Sequence, residues 1–346
     1  MLAVRIHEDG GPEVLLLEQA PDPVPDPGEA LIAVHAASLN HLDVWIRKGL
    51  PAVPKPRITG ADGAGVLVAL GDGAEARAGG GATAGVGTGV AVGARVVIDP
   101  SIRRDGPTSA VEVPGESFDG THAQLVVVPA ANVHLLPDHI TFEQAAAFPL
   151  VFVTAHRMLV TRARLQPGET VFIWGIGSGV STAALAIARA HGARTIVTSS
   201  SPEKLARARE LGADAVIDHA REDVRARVRE LTGGAGAEVV VDHVGAATWK
   251  TTVEVAARGG RIVVCGATSG PNPPAALHRL WWKELSVHGS TMGSAADFAA
   301  CLELVASGRA LPVIDRVYPL AEIRAAHERL EAGAQLGKIV LAIPQP

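Results

Sequence analysis

The sequence predicts an α/β protein of two domains, with a doubly wound parallel sheet in its second half and mostly β structure in its first. Three observations lead there. The 346 residues exceed what one hydrophobic core usually organises. From about residue 169, short Val/Ile runs alternate with segments of helical spacing. The first 135 residues instead carry short strands set off by Pro/Gly-rich turns.

In chain order, EALIAVHAA (29–37), GAGVLVAL (63–70), ARVVID (94–99) and HAQLVVVP (122–129) read as the strands of the first part. ETVFIWG (169–175) is an apolar run closed by glycine, and STAALAIARAHGA (181–193) has helical spacing. RTIVTSS (194–200) is strand-like again, and PEKLARARELGA (202–213) is a helix with proline at its start and glycine near its end. AVIDH (215–219), a charged helix at 221–232, AEVVVDHVG (237–245), a helix near 247–258 and GRIVVCGA (260–267) complete the series. Continuous apolar strands alternating with helices are parallel and covered on both faces, which makes these five a Rossmann-type sheet. The tail has helices at 295–307 and 320–332 and a last strand, KIVLAI (338–343), read as returning to the first domain. The expected division is 1–136 with 289–346, and 137–288.

Composition narrows the function. Apolar residues are 47% and charged residues 19%, with a formal charge of −5, so no basic surface suited to nucleic acid is expected. The opening MLAVRIHEDGG turns polar within six positions, and no stretch reads as a membrane helix. The Gly/Ala-rich run at 78–94 reads as a flexible low-complexity loop. Two cysteines, Cys265 and Cys301, exclude a disulfide framework or a multi-cysteine zinc knuckle, and Cys265 reads as a small apolar filler. A cytoplasmic protein acting on a small molecule is expected.

WGIGSGVS (174–181) stands between a strand and a helix, where a dinucleotide fingerprint belongs. Gly175 and Gly177 permit a tight turn and close approach of a pyrophosphate, and the helix start offers free N–H groups. The spacing departs from G-x-G-x-x-G: the third glycine is Gly179, and Val180 takes the expected place. Ser178 completes the loop. The second strand ends in TSSS (198–201) rather than Asp or Glu, with Lys204 one turn on. Without a carboxylate on the ribose, Ser199, Ser200 and Lys204 favour the 2′-phosphate of NADP(H), while a serine there also suits a helix cap. DHVG (242–245) and CGATSG (265–270) end the fourth and fifth strands, placing His243 and Gly266 beside a nicotinamide.

Taken together, GGPEVLLLEQAPDPVPDPGEALIAVHAASLNHLDVWIRKG, TGADGAG, GARVV, FVTAHRML, the fingerprint, RARELGAD, GRIVVCGA and GKIVL resemble the medium-chain dehydrogenase/reductase superfamily. The resemblance implies a GroES-like β-rich catalytic domain built from both parts of the chain around the Rossmann domain. It implies a homodimer formed through the sheet edge near LWWKELSVHG (280–289), and cofactor contacts from Thr154 and Lys338. The zinc alcohol dehydrogenases of this superfamily hold catalytic zinc with a cysteine, a histidine from Gly-His-Glu and a later cysteine. The matching positions here are Asn40, Ala61 and about Leu150, and the proton-relay hydroxyl matches Leu42. The structural-zinc cysteines are missing as well, so no metal is expected.

Asparagine at position 40, with an aromatic five residues later at Trp45, is similar to the zinc-free quinone-reductase branch. That branch implies hydride transfer from NADPH to a quinone or an α,β-unsaturated carbonyl. Asn40 would stabilise the developing oxyanion and Trp45 would wall the substrate. The proton would come from solvent or, less directly, from His41. The alternatives are a zinc-type alcohol dehydrogenase, an enoyl-thioester reductase, and a non-catalytic NADPH-binding protein.

Overall fold

The computed structural model describes residues 1–74, 90–104 and 109–345, so most of the Gly/Ala run at 78–94 lies outside the described residues. The chain packs as two compact units, Met1–Val151 with Ser294–Pro346, and Phe152–Gly293. The first boundary falls beyond residue 136 because the helix Phe142–Ala147 packs on the strands Glu29–Ser38, Asp62–Leu70 and Lys338–Ala342. Thr141 and Gln144 form a capping box that starts this helix, and its Ala145, Ala146 and Ala147 are fully buried.

The split unit is built on a seven-stranded sheet. Its order is Ile314–Pro319, Lys338–Ala342, Glu29–Ser38, Asp62–Leu70, Arg95–Ile98 and Val133–Leu135, with Leu125–Pro129 also paired to Glu29–Ser38. Along Glu29–Ser38 burial alternates, with Ala30, Ile32 and Val34 inward, as a strand with one core face requires. Those residues meet Leu67, Val96, Ile98, Val126, Val128 and Leu341 in one core. Gly65 is a fixed choice: a Cβ there would stand 1.9 Å from the Ala33 carbonyl oxygen, beside a bulge in this pairing. At the end of the strand the alternation stops and Ala36, Ala37 and Ser38 are all buried, which leads the chain into a polar interior.

The second unit is a six-stranded parallel sheet in the order Ala215–Asp218, Arg194–Ser199, Thr170–Ile173, Ala237–Asp242, Ala256–Val264, Ser286–Gly289. The five expected strands are present, and Ser286–Gly289 is a sixth. The order reverses direction beside Thr170–Ile173, the switch point at which doubly wound sheets bind ligands. Thr170–Ile173 is buried at every residue, as expected of a strand covered on both faces. Among the described residues no helix is long and apolar enough to cross a membrane.

Candidate active site

The helix His41–Arg47 begins directly after the central strand of the split unit. Asn40 is its N-cap residue, and the Asn40 N–H donates to Asp43 Oδ2 at 2.7 Å. Asp43 Oδ1 accepts from the Gly60 N–H at 2.9 Å, so this carboxylate ties the helix start to the turn before Asp62–Leu70. Burial pushes its pKa up to about 7 against the pull of those two N–H groups and of Lys338.

The Asn40 side chain sits in a buried network. Lys338 Nζ donates to Asn40 Oδ1 at 2.6 Å and to Asp62 Oδ2 at 3.0 Å. Asn40 Nδ2 donates to Asp62 Oδ2 at 2.9 Å. Asp62 Oδ1 accepts from the Leu150 N–H at 2.8 Å. Ser38 Oγ lies 3.1 Å from Asp62 Oδ2 and 2.8 Å from the Ala146 carbonyl, and its one proton serves one of them at a time. Asp62, Lys338 and Asn40 are 0%, 3% and 6% exposed, so the ion pair is removed from water and depends on these bonds.

Of the positions matched to zinc ligands, Asn40 meets the Lys338 ammonium, and Leu150 reaches the network only through its backbone N–H on Asp62. Ala61 and Leu150 have no side-chain donor atom, and the oxygens of Asn40 and Asp62 that would face a metal face the Lys338 ammonium instead. These residues do not fit a catalytic zinc. Among the described residues no three His, Cys, Asp or Glu side chains are grouped to hold a metal ion.

Trp45 lies one turn along the helix, 38% exposed, with its ring centroid 6.2 Å from that of His41. Burial, and secondarily the Lys338 charge, lower the pKa of His41, which favours the neutral imidazole over a proton-bearing one. The far end of the helix is anchored by Arg47, whose side chain is fully buried and donates through Nη2 to Glu331 Oε2 at 2.6 Å.

In the second unit, the expected fingerprint forms a tight loop between Thr170–Ile173 and the helix Gly179–Ala190. Gly175 has φ +60° and donates its N–H to Thr198 Oγ1 at 3.1 Å. Ser178 caps the helix, its Oγ accepting the Ser181 N–H at 3.1 Å, and it lies 3.3 Å from His243 Nε2. Ser181 is fully buried, and its hydroxyl accepts from the Gly177 N–H at 3.2 Å while reaching the Gly175 carbonyl at 3.1 Å. Ser181, rather than the half-buried Val180, closes the loop against the sheet, which accounts for the altered glycine spacing. Asp242 holds the neighbouring strand end rigid by accepting the Val244 and Gly245 N–H groups and the Thr248 and Thr252 hydroxyls.

The structure thus brings Gly175, Gly177, Ser178, Gly179, Val180 and His243 together, with Gly266 against the His243 carbonyl. Ser199 follows on the adjacent strand, where Ser201 proves to be the helix cap, accepting the Lys204 N–H at 3.2 Å. The strand ends without a carboxylate, and Glu203 in the first turn of the following helix accepts the Ser201 hydroxyl at 2.7 Å. Thr154 is 6% exposed on the helix Pro149–His156. Lys338 sits in the split unit with Asn40, its ammonium already bonded to Asn40 and Asp62. Burial pushes the Cys265 thiol up to about 12, in keeping with an unreactive filler. Asp62, Ser181 and Asp242 were not among the expected site residues. Only Asp62 had a signal, the Gly60-Ala61-Asp62 match to Gly-His-Glu.

Residues 26–138 match the family described as alcohol dehydrogenase GroES-like domain, and residues 179–307 match zinc-binding dehydrogenase. A solved structure of an NAD-dependent alcohol dehydrogenase is similar with TM-score 0.92 and 40% identity, covering 99% of this chain and 100% of that one. The chain belongs to the medium-chain dehydrogenase/reductase superfamily. Human quinone oxidoreductase is 29% identical over 99% of this chain and 98% of its own length. A mycobacterial protein solved with NADPH has TM-score 0.81 and 30% identity, covering 99% of each chain. As a medium-chain dehydrogenase/reductase with the GroES-like and Rossmann-type parts, the protein is an oxidoreductase.

Proposed function

We propose that the protein is a zinc-independent, NADPH-dependent reductase of quinones or α,β-unsaturated carbonyls. The observation that carries this reading is the buried Asn40 amide, held by Lys338 and Asp62 where zinc enzymes of the superfamily place a metal ligand. Without a Lewis acid, an isolated carbonyl is a poor hydride acceptor, whereas a conjugated one delocalises the incoming charge. The similarity to quinone oxidoreductases supports the same substrate class.

Gly175 and Gly177 would admit the cofactor pyrophosphate, and the N-terminus of Gly179–Ala190 with Ser178 would bind it. Ser199, Ser200 and Lys204 would hold the 2′-phosphate, Glu203 being engaged by Ser201, and Thr154, His243 and Gly266 would contact the nicotinamide. When bound, NADPH supplies the hydride. Asn40 donates to the developing oxyanion, Trp45 offers an apolar face to the substrate ring, and solvent supplies the proton because His41 is held neutral.

The test is NADPH oxidation by chelator-treated, dialysed protein with a para-quinone, a 2-enone and crotonyl-CoA as acceptors, and NADH in parallel. Turnover of the quinone or enone that survives chelation and prefers NADPH is expected. Turnover restored only by zinc, or a preference for NADH like that named for the similar alcohol dehydrogenase, would overturn the corresponding half of the reading.

We also propose a homodimer. Ser286–Gly289 is the edge strand of the parallel sheet, and beside it Trp281 and Trp282 are each 66% exposed, Leu277 68% and Val287 45%. An edge strand with exposed apolar side chains invites a second copy. Replacing both Trp281 and Trp282 by Glu is expected to give monomers in sedimentation analysis. A wild-type protein that sediments as a monomer at micromolar concentration would dismiss the dimer.

A further inference from the structure

We infer that Lys338 and Asp62 are positioning residues that decide which edge of the Asn40 amide faces the substrate. The inference rests on the role given to Asn40 above. An amide side chain has two edges of similar shape and opposite chemistry, and nothing intrinsic to asparagine selects one. Here the neighbours select it. The Lys338 ammonium can only donate, so at 2.6 Å it must face Oδ1. An ionised Asp62 can only accept, so at 2.9 Å it must face Nδ2. A flipped amide would set an NH₂ group against the ammonium and a carbonyl against the carboxylate, two repulsive contacts in a region almost closed to water.

The selection has a chemical result. The amide oxygen is spent on Lys338 and one N–H on Asp62, which leaves the other N–H as the group free to meet a developing oxyanion. The two selectors are held in turn. Asp62 Oδ1 is fixed by the Leu150 N–H and its Oδ2 lies beside Ser38 Oγ, while Lys338 opens the strand paired through Val340 to Ser38. The pair also sets its charges against each other at 3.0 Å, so it orients the amide while adding no net charge beside the substrate. In this arrangement Lys338 acts through Asn40 and not on the cofactor.

The test uses Lys338→Met, Lys338→Arg and the double variant Asp62→Asn/Lys338→Met, each made in the native and the Asn40→Ala background. The double variant leaves no unpaired buried charge, so it reports on orientation even where Lys338→Met alone fails to fold. Steady-state kcat and NADPH dissociation constants are measured for all. Lys338→Met and the double variant are expected to lose about tenfold in kcat, part of what a whole oxyanion donor contributes. NADPH affinity is expected to stay within about twofold, Lys338→Arg to recover most of kcat, and neither charge-removing variant to lower kcat further once Asn40 is alanine. An equal loss in the Asn40→Ala background, or a loss mainly of NADPH affinity, would overturn the inference. An unchanged kcat in Asn40→Ala by itself would instead overturn the role of Asn40.

Discussion

Asn40→Ala is expected to lower kcat about a hundredfold with the best quinone or enone acceptor, the usual cost of deleting one well-placed oxyanion donor. NADPH affinity is expected to hold, because the fingerprint loop, Ser199 and Lys204 lie in a different unit from Asn40. The variant keeps the bond from the Asn40 backbone N–H to Asp43 Oδ2 at the start of the helix His41–Arg47. It does leave Lys338 and Asp62 with one partner fewer each, so a melting temperature accompanies the kinetics. A loss confined to KM would mean that Asn40 binds ground state and transition state alike, which would remove it from the chemistry.

The second large effect concerns stability against pH. Asp99 is 1% exposed, and burial pushes its pKa up to about 7 although its Oδ1 accepts the Ser101 N–H at 2.9 Å. A raised carboxyl pKa means that the folded state holds the proton more tightly than the unfolded state. The contribution is therefore complete below 3.8, the ordinary value for an aspartate, and is lost as pH rises through about 7. Relative to Asp99→Asn, which keeps an acceptor for Ser101 but does not titrate, the native protein is expected to gain about 2–3 kcal/mol between pH 8 and pH 5. Denaturant unfolding of both proteins at the two pH values reads this difference directly. Comparing the pair matters because the buried His122, lowered to about 3 by burial, works in the opposite sense on acidification in both proteins. A constant gap between native and variant across pH would show that Asp99 titrates normally.

Five of the six strands of the parallel sheet were legible because each carries an apolar stretch flanked by helix signals, a local pattern that needs no knowledge of the partner strand, whereas Ser286–Gly289, mostly exposed, carries none. The fingerprint loop was legible for the same reason. What escaped were contacts set by tertiary distance. Nothing local in GKIVL marks Lys338 as the partner of Asp62 and Asn40. Ser181 was read as an ordinary helix residue because only the folded loop shows its hydroxyl spanning Gly175 and Gly177. The boundary at Val151 escaped because alanines in Phe142–Ala147 give no hint of which sheet they will pack on.

The pairing of Lys338–Ala342 with Glu29–Ser38 has a consequence for biosynthesis. On the ribosome, residues 152–293 emerge with all six of their strands while the first unit still lacks the strands Ile314–Pro319 and Lys338–Ala342. During that interval the Ala36–Ser38 end of Glu29–Ser38 is an open edge, and Asp62 is a carboxylate without its counter-charge. Lys338–Ala342 then pairs with that edge and brings the Lys338 ammonium to Asn40 and Asp62, so the buried polar network closes only once this late strand is in place.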